Sequence, residues 1–257
     1  MPVVSFSDFR DIIQHHTVNE LTTTDLLKIS EYHQLSSYYT PFDYLSADAK
    51  IVIVGICPGR TQWQNSIIAC KEALSEQQDI QTILKHTKQS GAFSGPIRNN
   101  LVKILDHIGL NQNLKINSTA SLFQENQHLV HMNSVLKQAI FVNGKNYAGT
   151  HPNILKHQFL LQHIHDYFIP EVKQLPNALY LPMGKCVLDV LHYVSSLGYL
   201  KPEQILKGLP HPSGANAERI QYFLGLKSAD TLSNKTNPVQ IDTAKAALLT
   251  QLSHIQL

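Results

Sequence analysis

Four side chains with distinct chemistry stand beside glycines or at the ends of apolar runs: Cys57, Phe93, Asn133 and His211. A cysteine thiolate is a nucleophile and a histidine within reach can take its proton, so Cys57 with His211 would suffice for a thiol hydrolase. The Asn133 amide carries a donor and an acceptor on one planar group. His211 can donate a hydrogen bond or hold a proton near neutral pH, and Phe93 offers a ring face for stacking. Taken singly, none decides a function. A buried structural thiol, a capping asparagine, a loop histidine and a core phenylalanine would read the same way.

The elements that must hold these groups follow from patterning. Ile51-Val52-Ile53-Val54 is apolar without alternation and reads as a strand buried on both faces. Gly55 permits close backbone approach, and Pro58-Gly59 turns the chain. Further strands are predicted at 129–133, within 177–184 and at 205–209, the last running into the loop Pro210-His211-Pro212-Ser213-Gly214. Helical spacing is predicted over 5–35, over 65–88 as one or two helices, from Pro96 to Ile108, over 153–173, through Val187 to Leu191 and over 217–224. Between the second and third of these, 90–96 reads as a glycine-bounded loop. Strands alternating with helices predict an α/β fold, a three-layer α/β/α arrangement around a central four-stranded parallel sheet. Ligands in such sheets sit beyond the carboxyl ends of the strands, where Cys57, Asn133 and His211 fall. One domain is expected over 1–257, with an N-terminal helical extension over about 1–45 and a C-terminal helix over about 238–255.

Composition narrows the classes. Lys and Arg total 21 against 19 Asp and Glu, so any anionic partner must be gripped by a local patch rather than by the average charge. Three cysteines without a CxxC spacing argue against a disulfide framework, a cysteine-rich zinc site or an iron–sulfur cluster. His151, His157, His163 and His165 give no i, i+4 pair, and no metal is expected. The start lacks a basic region followed by an apolar core, and no apolar run of about 18 residues exists. A cytoplasmic protein without a membrane partner is expected.

In this order the motifs resemble the uracil-DNA glycosylase superfamily. Gly55-Ile56-Cys57-Pro58-Gly59 is similar to the first motif, and Gly91-Ala92-Phe93-Ser94 to the segment with the base-stacking aromatic. Val130-His131-Met132-Asn133-Ser134 resembles the strand whose asparagine reads the pyrimidine edge. Leu179-Tyr180-Leu181-Pro182-Met183-Gly184 looks like the structural third strand, and Leu209-Pro210-His211-Pro212-Ser213-Gly214-Ala215-Asn216 like the last motif. The likeness spans 50–225. It implies base contacts from Ile56, Phe93 and Asn133, catalytic positions at Cys57 and His211, and DNA contacts from Pro58, Gly59, Arg60, Pro212, Ser213, Gly214, Ala215 and Asn216. Arg98 and Arg219 join Arg60 as candidate phosphate contacts. The implied activity is hydrolysis of an N-glycosidic bond in base excision, on single- or double-stranded DNA, by a monomer without a cofactor.

Two positions depart from the pattern. Cys57 stands where active members carry Asp, Asn or Glu to handle the hydrolytic water, and a thiol is a poor acceptor. From Ile51 to Lys71 there is no Asp or Glu, although Gln62, Gln64, Asn65 and Ser66 could position a water. Losing general-base help costs about 10²–10⁴ in rate, so weak or absent excision is expected. Ala215 stands where several members carry a bulky apolar wedge. Two alternatives to the enzyme follow: a catalytically silent member that binds nucleic acid or a base, and the Cys57/His211 thiol hydrolase.

Overall fold

The computed structural model describes residues 3–255. In chain order it contains α1 (Phe6–His15), α2 (Val18–Thr23), β1 (Lys28–Tyr32), β2 (Leu35–Tyr38), β3 (Ile51–Gly55), α3 (Arg60–Ser75), α4 (Ile80–Gly91), α5 (Pro96–His107) and α6 (Leu110–Asn113). There follow β4 (Val130–Ser134), β5 (Ala139–Val142), β6 (Lys145–Asn146) and α7 (Gln158–His163), which passes through a π-helical turn, Ile164–Phe168, into α8 (Ile169–Gln174). The chain closes with β7 (Leu179–Pro182), α9 (Lys185–Ser196), α10 (Ala217–Phe223) and α11 (Pro238–Ser253). Helix starts obey local chemistry. Thr17 and Glu20 form a capping box on α2, Asp79 accepts from the Gln81 and Thr82 amides at α4, and Pro96 and Pro238 open α5 and α11. Among the described residues no helix is long and apolar enough to cross a membrane.

The result is a mixed α/β fold with two sheets. A three-stranded parallel sheet has the order β4-β3-β7, with Ile51 opposite Leu179 and Val54 opposite Pro182. A second sheet, β1-β2-β5-β6, is antiparallel. The chain forms two compact units. Unit 1 comprises Met1–Leu45, Gly55–Ser94 and Met132–Pro176; unit 2 comprises Ser46–Val54, Gly95–His131 and Asn177–Leu257.

Unit 1 is built on the antiparallel sheet with α1, α3 and α4. Phe9 stacks on Tyr39 at 4.4 Å, and the Trp63 indole donates to the Tyr39 carbonyl at 2.8 Å. Ile67, Cys70, Leu84 and Phe141 belong to the same core. Charges are buried in this unit too. Lys137 sits 3.0 Å from both Asp43 and Glu171, while the Lys88 ammonium donates to the Tyr44 carbonyl at 2.7 Å. Desolvation pulls Lys88 down to about 8, whereas Lys137, with two carboxylates to offset its desolvation, is pushed up.

In unit 2, Ile51 to Val54 are fully buried, as a strand apolar on both faces requires. The core continues through Leu101 and Ile104 of α5, Val190 and Leu191 of α9, Phe223 of α10 and Leu248 of α11.

Three expectations are corrected. The parallel sheet has three strands among the described residues, and 205–209 meets β7 at a Tyr180–Ile205 bridge and through the Leu206 amide, 2.9 Å from the Tyr180 carbonyl. Beyond it Gly208 adopts φ +121° and Pro210 has no N–H, so the ladder ends there. The helical reading of 5–35 holds only for α1 and α2, since β1 and β2 form a hairpin turned at His33 with φ +54°. The loop predicted from residue 90 starts later, because α4 runs through Gly91. A Cβ at Gly91 would stand 2.9 Å from Phe42 Cζ and from Ser66 Cβ, so only glycine allows this packing.

Candidate functional site

The residues singled out by sequence divide between the units. In unit 1 the β3 backbone stays hydrogen-bonded past the strand end. The Val135 amide donates to the Gly55 carbonyl at 3.0 Å and Leu136 to that of Ile56 at 2.9 Å. Cys57, half-buried, donates its S–H to the Tyr147 carbonyl at 3.7 Å, a contact only the protonated thiol can make. Pro58 is buried, and Gly59 caps α3 so tightly that a Cβ would lie 3.0 Å from Gln62 Oε1. The Arg60 amide donates to Asn146 Oδ1 at 3.0 Å, its guanidinium donates to the Gly144 carbonyl at 3.0 Å, and it lies over the Phe141 ring at 4.5 Å. The turn 57–60 is therefore clamped to the β5–β6 hairpin.

Phe93 adopts φ +50°, a region that bulky side chains avoid. Its ring seats on Gly55, where a Cβ would be 3.5 Å from Phe93 Cζ and equally close to Ser134 Oγ. The next residue holds the bend. Ser94 accepts from Asn65 Nδ2 at 3.1 Å on its hydroxyl and from Gln62 Nε2 at 3.3 Å on its carbonyl. Asn133, buried at the end of β4, accepts from the Ser134 amide at 2.8 Å through Oδ1. Unit 1 thus brings together the β3 end, a constrained aromatic ring and the Asn133–Ser134 pair.

In unit 2, His211 Nδ1 accepts from the Ser213 amide at 3.2 Å. That bond assigns the neutral tautomer with its proton on Nε2, and burial lowers the pKa below the usual histidine value. The ring reaches Gly184, where a Cβ would stand 3.4 Å from His211 Cδ2. Pro212 is buried and its carbonyl accepts from Asn100 at 2.9 Å. Asn216 donates to Ser213 Oγ and accepts from Arg219, both at 3.2 Å. Gly214 and Ala215 are exposed, as a loop tip would be. Arg98 lies over the Phe123 ring at 4.6 Å.

One comparison places the chain among known proteins. It is 34% identical over 215 residues, 81% of this chain and 84% of the relative, to the "Uncharacterized protein YoxB" of Bacillus subtilis (strain 168). The chain belongs to the same family as YoxB. No family model and no solved structure matches it.

In this YoxB-family chain, sequence reasoning missed the partners of the Cys57 turn. Gly144, Asn146 and Tyr147 supply three of its contacts. The signal was present in Val142-Asn143-Gly144-Lys145, since Asn-Gly directly after the apolar run 139–142 is a hairpin mark. Asn143 and Gly144 indeed take φ +47° and +72°. Gln62 and Asn65, read as possible water-positioning amides, instead donate to Ser94.

Proposed function

We propose that the chain is a DNA glycosylase-like protein that receives an extruded uracil-type base and hydrolyses its N-glycosidic bond slowly. The observation that carries this reading is the aromatic shelf at the end of β3, where Phe93 is held left-handed with its ring on Gly55 and Asn133 stands on the neighbouring strand. Strained backbone under an aromatic side chain points to function rather than packing convenience. Stacking on such a ring contributes about 1–3 kcal/mol per base. With Oδ1 engaged by Ser134, Asn133 keeps its amide N–H groups for a carbonyl on the base edge.

In the reaction, water adds to the sugar carbon as the bond to the base nitrogen breaks, and the bonding pair leaves with the base. The resemblance gives His211, whose ring proton is on Nε2, the part of donor to the oxygen where that charge collects, a type of preorganised donor worth about 10²–10³ in rate. The added water releases its extra proton to solvent, and the leaving base takes one from solvent. Cys57 offers no base for the attacking water, which makes the reaction slow. Partnership with DNA, a monomeric state, a cytoplasmic setting and the three-layer arrangement belong to the same reading.

The thiol hydrolase is disfavoured by the commitment of the Cys57 proton to the Tyr147 carbonyl. A binder without turnover is the second reading, favoured by Cys57 and by the engagement of Gln62 and Asn65 with Ser94. Incubation with uracil-containing oligonucleotides, single- and double-stranded, separates the two by abasic-site formation. The enzyme reading expects slow cleavage, reduced about 10²-fold by His211→Ala and raised about 10²-fold or more by Cys57→Asp. Binding without abasic sites, in wild type and in Cys57→Asp alike, would leave the silent binder.

A further inference from the structure

Unit 2 contains a cleft of about 440 Å³ whose walls come from three separate stretches: Gly184-Lys185, the His211 loop through Arg219, and Lys235 to Ala244. Its charge is one-sided. Lys185, Arg219 and Lys235 line it, and no lining residue is Asp or Glu. The acids on the same elements are already engaged, Asp189 with Lys185 at 2.9 Å, Asp242 with the Tyr222 hydroxyl at 2.7 Å and Glu218 with Lys227 at 2.7 Å. His211 lines the cleft as well, with Nδ1 occupied by the Ser213 amide, so its ring senses an anion bound there. The first turn of α9 opens at Gly184 with no side-chain cap and no acidic residue.

The third wall is fixed rather than loosely attached. Glu218 accepts from Lys227 at 2.7 Å and from the Ser233 and Thr236 hydroxyls at 2.6 Å, pinning the segment before α11 to α10. Arg219 donates to the Lys235 carbonyl at 3.0 Å. Gly208 lets α11 come so close that a Cβ there would meet the Ala244 carbonyl at 2.6 Å. Cations held around a concave site without a carboxylate concentrate anions, and a tetrahedral oxyanion suits donors arriving from several directions.

We propose that this cleft is a phosphate seat and that the C-terminal segment, through Lys235, supplies a wall of it. The phosphate comes either from a nucleic-acid backbone, which rests on the glycosylase-like reading, or from a free nucleotide, which does not. The test uses the full chain. Inorganic phosphate and deoxyuridine monophosphate are titrated while the His211 ring resonances are followed. A labelled single-stranded oligonucleotide is bound in parallel at several salt concentrations.

Lys235→Glu is expected to weaken oligonucleotide binding at least tenfold at low salt and to flatten the salt dependence by about one counterion. Lys50→Glu, the same charge change at an exposed lysine elsewhere in unit 2, should weaken it less than threefold. Phosphate should move the His211 resonances in wild type and not in Lys235→Glu. Resonances that respond to the free anions without any oligonucleotide binding assign the seat to a small phosphorylated ligand and count against the glycosylase-like reading alone. Wild-type His211 resonances indifferent to phosphate, with Lys235→Glu binding oligonucleotide as wild type does, would overturn the proposal.

Discussion

Around Cys57 and Phe93, unit 1 satisfies its polar groups within itself: thiol to carbonyl, amides to Ser94, guanidinium to the hairpin. Around His211, unit 2 lines a cleft with Lys185, Arg219 and Lys235 and with no carboxylate. The same contrast runs through their interiors. Unit 1 buries an ion-paired lysine between two carboxylates, while the unit 2 core residues that carry α5, α9 and α11 are aliphatic. A turn that satisfies itself is suited to hold the Phe93 ring in place, and a cleft lined by cations without a carboxylate is suited to attract charge. The difference teaches that the chemically suggestive residues of one chain can serve quite different ends.

The sharpest way to break this comparison is to remove the charge from unit 1. Lys137→Met strands Asp43 and Glu171 with their shared cation gone, and we expect a loss of about 3–5 kcal/mol in urea unfolding. A loss under about 1 kcal/mol would show that the ion cluster is incidental.

His163 comes next. It is fully buried between Phe159 and Tyr167 at the start of the π-helical turn, neither ring nitrogen has a hydrogen-bond partner, and desolvation pulls it down to about 4 despite the nearby Asp166. It is neutral in the folded chain, whereas the unfolded chain takes up the proton first. Stability is therefore lost as pH falls from about 6.5 toward 4, by about 3 kcal/mol in all. His163→Phe should flatten that part of the pH–stability curve, and an unchanged slope would refute the assignment.

In unit 2 the largest effect is steric. Gly208→Ala forces a side chain into φ +121° and against the Ala244 carbonyl, and should cost roughly 2–3 kcal/mol. Faster amide exchange in α11 than in α4 would place the damage in unit 2. The smallest effect separates ring from backbone at the shelf. Phe93→Gly should be about 1 kcal/mol more stable than Phe93→Ala, since only glycine accepts the left-handed bend freely. Equal stabilities would mean that the bend is not strained.

Legibility from sequence followed the range of the forces involved. β3 could be read because four consecutive apolar residues, buried on both faces, need no knowledge of the partner strand. β1 and β2 could not, because their stability comes from cross-strand neighbours: β2 pairs with β5, Leu35 opposite Val142, 107 residues later. The Ile205–Leu209 stretch misled for the converse reason. It looks like a strand locally, but Gly208 and Pro210 stop the ladder, and Gly208 is there for close contact with α11. At the candidate site, Cys57, Phe93, Asn133 and His211 were singled out by type and position. Asn146, Tyr147, Lys185 and Lys235, which surround them in their respective units, were not.

The sequence by itself determined what is local: the buried β3 strand, the capped helix starts, the Asn143-Gly144 turn and the absence of any carboxylate between Ile51 and Lys71. Only the tertiary structure decided what depends on distant partners. It set Cys57 against a carbonyl ninety residues away, held Phe93 left-handed through α3, fixed the His211 tautomer in its folded loop and gathered three cations from separate stretches around one cleft. Hydrogen bonds and charges act over a few ångströms of space, and the chain distance between the groups they join carries no trace of that proximity.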